Sequence, residues 1–280
     1  MISLLLTIAC STSIALILKY SSVNKGNSIL LIASNYLVAS IIGFVMFMIE
    51  PEAKFSFSSL IFGAVIGTVF VSSFFAFSKS IDVAGTALST LSSRISLFIP
   101  VALSILLYSE IPTFFNLLGF AFAGITIYLF YLSLRHNKTR TITLKDILYL
   151  AGLMIGIGIG DFSMKVFQQT HPIVEKQFFI FSIFFFAFIY CFIIIFVKKI
   201  PLKRHTILSG SVLGVPNVLS SVFLIAALET IPGILVYPLV NIGVILLTAL
   251  LAFIIWREKI DRLGLFSLFT GVVTIVLLTL

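Results

Sequence analysis

Of the 280 residues, 60% are hydrophobic and only 10% are charged, with 18 Lys and Arg against 10 Asp and Glu and a mean hydropathy of +1.23. A water-facing surface normally carries about a quarter of its residues as charges, so this balance excludes an ordinary soluble domain and makes lipid the solvent for most of the chain. The formal charge of +8 does not describe a nucleic-acid face, because the basic residues sit at breaks between apolar runs rather than on one patch.

A helix needs about 20 apolar residues to cross the hydrocarbon, and the apolar runs predict ten such spans. The first, from Ile2 to Leu18, has no basic n-region and leads into no soluble domain, so it reads as a spanning helix rather than a cleaved signal. It carries Cys10 and the Ser11-Thr12-Ser13 patch. The second, Ile29 to Ile49, holds Asn35; the third runs from Leu60 to Phe77. The fourth, Gly85 to Tyr108, has Ser93 and Arg94 near its middle and is followed at once by the fifth, Phe114 to Leu134. The sixth, Ile147 to Met164, places Asp161 after Gly156, Gly158 and Gly160, with Lys165 just beyond. A Phe-rich seventh, Phe178 to Val197, contains Cys191. The eighth, Ile207 to Leu228, has Pro216-Asn217; the ninth, Gly233 to Trp256, has Tyr237-Pro238 and Asn241; the tenth is Leu263 to Leu280. The run Phe178 to Val197 is apolar on every face, which the alternation of a β-barrel strand does not allow. The predicted fold is an all-α integral membrane protein.

Charge sorting tests this count. If the spans alternate, the side reached after the first receives Lys19, Lys25, Lys79, the basic residues from Arg135 to Lys145, those from Lys198 to Arg204, and Arg257, Lys259 and Arg262. The opposite side, with both termini, receives only Lys54, Lys165 and Lys176. By the positive-inside rule the richer side is cytoplasmic. The expected location is the inner (plasma) membrane, multi-pass, with lipid as the surrounding partner and a monomer or homodimer as the assembly.

The two halves share a grammar. An offset of 148 pairs Gly85 with Gly233, Glu110 with Glu258 and Ser93 with Asn241, and an offset of 146 pairs Lys19 with Lys165. Five spans per half is odd, so the second copy enters the membrane in the opposite sense: residues 1–140 and 141–280 form two inverted five-helix repeats. Inverted repeats with a midplane site are a signature of secondary transporters. With Glu heading the short connectors after the fourth and ninth spans (YSEIP and WREKID) and Gly-bearing helices following, the chain resembles the EamA-type transporters of the drug/metabolite transporter superfamily over essentially its whole length. It departs from their common Gly-Glu, carrying Ser109-Glu110 and Arg257-Glu258. The resemblance implies transport, often export, of a small metabolite such as an amino acid by alternating access around a central cavity, with proton coupling or exchange in many members.

Arg94 is the first candidate, since an unpaired guanidinium in mid-span must face protein or water. Its planar fork suits a carboxylate or phosphate; the alternative is a structural ion pair with Asp161. Asp161 is correspondingly either that partner or a proton-coupling carboxylate, and Lys165, four residues on, a pairing or gating group. Pro238 and Pro216 each free a helical carbonyl, so that Tyr237, Asn241 and Asn217 read either as cavity lining or as local satisfaction of a kink. Ser93 and Asn35 complete the candidate substrate-binding set. The GIGIG run lacks a preceding strand and reads as close helix packing, not as a dinucleotide loop. No Walker sequence, nucleophile elbow or His/Cys set is present, so the sequence calls for no catalysis, cofactor or metal. A non-transporting structural membrane protein and an intramembrane enzyme are the competing readings.

Overall fold

The computed structural model describes residues 1–23, 27–84, 86–134, 143–256 and 261–280. The chain is all-α, with helices α1 (Ile2–Val23), α2 (Ser28–Ile49), α3 (Phe57–Ala84), α4 (Thr86–Ile95), α5 (Phe98–Tyr108), α6 (Phe114–Leu134), α7 (Leu144–Thr170), α8 (Lys176–Lys198), α9 (Arg204–Leu228), α10 (Gly233–Trp256) and α11 (Arg262–Thr279). Among the described residues nine stretches are long and apolar enough to cross a membrane, with α4 and α5 contributing a single one (Leu88–Tyr108), and Ile2–Leu18 is a shorter tenth. This is the multi-pass architecture that the apolar runs predict.

The fourth expected span is not one helix. Pro100 has no N–H to offer Ser96, and its ring crowds that carbonyl. The turn tightens instead, with Leu97 N–H donating to Arg94 O (3.3 Å) and Ile99 N–H to Ser96 O (3.0 Å), and α4 ends one residue after Arg94. Two other spans are longer than expected. α3 continues past Phe77 through Lys79, and α7 continues past Met164 through Lys165, Gln168 and Gln169.

The chain forms two compact units, and α3 and α7 each contribute to both. The first unit comprises Met1–Ser72 and Ser163–Glu229. Here α2 packs on α8 and α9, and α1 on α9. The approach of α9 to α2 is made possible by glycines: a Cβ on Gly210 would overlap the Leu31 carbonyl oxygen, and one on Gly214 would meet Asn35 O at 2.7 Å. Gly63 and Gly67 do the same for α3 against Ser182 and Ile183 of α8. Small residues are how helices gain contact in lipid, where burial of apolar surface no longer drives association. Gly210→Ala is therefore expected to destabilise the protein by about 1–3 kcal/mol, read as a lower apparent melting temperature in detergent. Gly152→Ala is the control, because nothing lies within 4 Å of its Cβ position.

The Phe-rich α8 divides its rings between two environments. Phe178, Phe179 and Phe184 are buried, and Phe179 stacks on Phe167 with centroids 4.2 Å apart; Phe185, Phe192 and Phe196 are exposed. At the end carrying the acidic connectors, Lys176 pairs with Glu229 at 3.4 Å.

The second unit comprises Ser73–Phe162 and Thr230–Leu280. It packs α6 on α11, α5 on α10, α10 on α11 and α4 on α6. Thr126 of α6 donates to Thr270 of α11 at 2.9 Å, and Ser267 returns a bond to Thr126 O at 3.0 Å. Gly158 of α7 lies against Ile99, so its Cβ would meet Ile99 Cβ at 2.7 Å, in line with the packing role expected for the GIGIG run.

Polar residues at the helix starts supply the caps. Asn27 accepts from the N–H groups of Ile29 and Leu30, Thr143 and Asp146 exchange bonds across the first turn of α7, and Asp261 accepts from Gly264 N–H. The Ser133 hydroxyl and then the Gly264 amide hold the exposed Asp261 carboxyl below its ordinary value. A depressed carboxylate contributes stability above its unfolded pKa and loses it only as pH falls through the folded value, so this cap persists at neutral pH.

Candidate functional site

The second unit holds Arg94 and Asp161. Arg94 occupies the last turn of α4, where the unpaired carbonyls of a helix C-terminus favour a cation. Its side chain is half-buried; Nη1 donates to Asn241 Oδ1 at 3.5 Å, while Nε is buried without a partner. Asn241 in turn donates through Nδ2 to Tyr237 O at 3.2 Å, and the Tyr237 hydroxyl donates to the backbone carbonyl of Asp161 at 3.2 Å. Tyr237 is 2% exposed. Three helices, α4, α10 and α7, thus converge through Arg94, Asn241, Tyr237 and Asp161.

The expected ion pair takes a different form. Arg94 and Asp161 interact through their charges, yet no contact ion pair joins them among the described residues. A guanidinium that keeps an unused donor, with a carboxylate near but not bound to it, can receive an anionic group without first breaking a salt bridge.

Ser93 is less available than the sequence suggests. Its hydroxyl proton is used by its own helix, donating to Thr90 O at 2.8 Å. Its neighbour Ser92, which the sequence reading passed over, reaches α7 and donates to Leu150 O at 2.6 Å. Pro238 lies inside an unbroken α10, four residues after Ile234, whose carbonyl it deprives of a donor.

The first unit holds the other candidates. Asn35, 2% exposed on α2, accepts from Asn217 Nδ2 of α9 at 3.1 Å. Nothing in the sequence linked these two amides, which lie 182 positions apart. Pro216 sits inside α9 beside them. Ser11 shares a 2.9 Å hydrogen bond with Ser220, and Thr12 has a buried hydroxyl oxygen with no partner. Lys165 is 4% exposed on α7, in the part of the helix that belongs to this unit.

Glu110 proves to be a helix cap. Just after α5, its carboxylate accepts from Gly233 N–H (3.0 Å) and Ile234 N–H (2.8 Å), the first two amides of α10. Its repeat mate Glu258, and Gly85, the mate of Gly233, lie outside the described residues. The preceding Ser109 adopts a left-handed backbone, φ 52 and ψ 32, which explains why a glycine suits that connector. Ser109→Gly is expected to raise stability by about 0.5–1 kcal/mol, seen as a small upward shift in melting temperature.

A scan against protein-family models finds no match. The chain is 29% identical over 276 residues to an uncharacterized protein of Haemophilus influenzae, covering 94% of this chain and 92% of the other. It is also similar to a solved structure, described only as a crystal structure of a protein, with a TM-score of 0.80 and 13% identity over 99% of this chain and 94% of that one. The likeness is one of fold alone, an all-α, multi-spanning membrane architecture.

Proposed function

We propose that this chain is an EamA-type secondary transporter that exports a small, carboxylate-bearing metabolite such as an amino acid by alternating access. The observation that carries the reading is the mid-span guanidinium of Arg94, half-buried, joined to Asn241 and left with a buried, unpartnered Nε. A charge costs several kcal/mol at that depth unless it faces protein, water or ligand, and an unused donor there suits an incoming acid. Asp161 is the candidate proton-coupling carboxylate of this unit, and Asn35 and Asn217, bonded to each other, are the candidate polar pair of the first unit.

The packing supports the inverted repeat of residues 1–140 and 141–280. Exchanging each span of one half for its counterpart turns the α10/α11 contact into α4/α6, and α2/α9 into α3/α8, and each of these pairings occurs. Each compact unit takes helices from both halves, as crossed packing of two homologous bundles requires. The basic connectors then face the cytoplasm of a cell with the chain in its inner membrane.

The test is flux. Purified protein in liposomes is challenged with a labelled panel of amino acids, hydroxy acids and neutral metabolites, with and without a pH gradient. Faster movement of at least one acid than in empty liposomes is expected, and Asp161→Asn should remove any dependence on the gradient. If no compound moves faster than in empty liposomes, the transport reading fails.

A further inference from the structure

The first unit contains a groove that transport does not require. Its volume is ≈ 550 Å³, and it is walled by α2, the end of α8 and the connector into α9. That size is within the roughly 300–1,000 Å³ of small-ligand sites. Leu37, Phe192, Phe196 and Leu202 line it and are all exposed, and the hydroxyl of Ser34 is already spent on Leu30 O. Such a slot is wetted favourably by hydrocarbon alone.

The end of α8 shapes the groove. Lys199 takes a left-handed backbone, φ 50, and Ile200 N–H donates back to Ile195 O at 3.1 Å. This turn brings Ile195 and Ile200 to one end of the groove lining, as the hydrophobic contact of such a cap does. Glycine fits the left-handed position better than any other residue, yet a lysine holds it, and its exposed side chain forms part of the groove edge. Lys198, Lys203 and Arg204 flank it, also exposed, and none of the four has an ion-pair partner among the described residues. An apolar slot headed by unneutralised cations is complementary to one kind of molecule.

We propose that this groove binds an anionic glycerophospholipid of the surrounding bilayer. One acyl chain lies in the slot formed by α2 and α8, and the phosphate sits on Lys199 with Lys198, Lys203 and Arg204 around it. The site is independent of what the protein transports, and it holds even if no flux is found.

Native mass spectrometry of the full chain tests this, using phosphatidylglycerol and phosphatidylcholine with identical acyl chains. Phosphatidylglycerol is expected to be retained preferentially. Lys199→Gly removes the cation while giving the backbone the residue it prefers, so phosphatidylglycerol affinity should fall about fivefold, the effect of one surface cation, with melting temperature unchanged or raised. Phe192→Ser, on the exposed wall of the slot, should weaken retention of both lipids. Equal retention of the two lipids, a preference that survives in a Lys199→Gly, Lys198→Gln, Arg204→Gln variant, or a dimer of the chain in place of bound lipid would each overturn the proposal.

Discussion

Arg94→Ala is expected to lower transport of the acid substrate by roughly 10–150-fold at equal protein density in the liposome. The range follows from the value of a hydrogen bond to a charged group, about 1.5–3 kcal/mol, lost where the Nε and Nη donors of Arg94 meet the ligand. Removing the guanidinium also leaves Asp161 without the positive charge it interacts with, and an uncompensated buried charge is destabilising by several kcal/mol. Loss of folding would imitate loss of binding. Arg94→Lys separates the two effects, because it restores the charge but not the planar fork. It should recover expression and melting temperature while KM for the acid stays raised and neutral compounds are unaffected. A lysine variant with wild-type KM would make Arg94 a structural cation, and unchanged flux in the alanine variant would remove it from the site altogether.

Glu110→Ala is the second large effect, and it is one of stability. The carboxylate accepts from two amides at the start of α10, where the helix dipole favours a negative charge. Deleting it leaves both N–H groups without their acceptor, at a cost of about 2–4 kcal/mol. For a chain of this size that corresponds to a fall of about 5–10 °C in melting temperature. Glu110→Gln keeps one acceptor and loses the charge, so it should fall between the two. KM should change little in either variant, because Glu110 is not among the groups joined to Arg94. A variant that melts like the wild type would show that α10 starts equally well with water at its amides.

Hydropathy made most of the fold legible, because in lipid the apolar run and the helix are almost the same object. It failed where they differ. The break between α4 and α5 lies in an uninterrupted apolar run, and only the missing N–H of Pro100 announces it. α3 and α7 outrun their apolar segments because Lys79 and Lys165 end a hydropathy window without ending a helix. The candidate site was legible residue by residue but not as pairs. Arg94 stood out as a mid-span charge, and the repeat alignment placed Asn241 one position from its counterpart. That Asn35 meets Asn217, and that Glu110 caps α10, are contacts 182 and 123 positions apart, set by helix packing that no local pattern encodes.

The division of the chain also fixes an order of assembly during synthesis. All segments of the first unit have been made once Glu229 is joined, whereas the second still lacks Thr230–Leu280. At about 5–20 residues per second, those last residues take roughly 3–10 s to follow. At the start of that interval α5 and α6 stand without α10 and α11; the Gly233 and Ile234 amides that Glu110 caps follow within about a second, and α11 comes only at its close. A nascent chain arrested at Glu229 therefore holds one complete unit and one unfinished one, and the second can close only when the final two helices arrive.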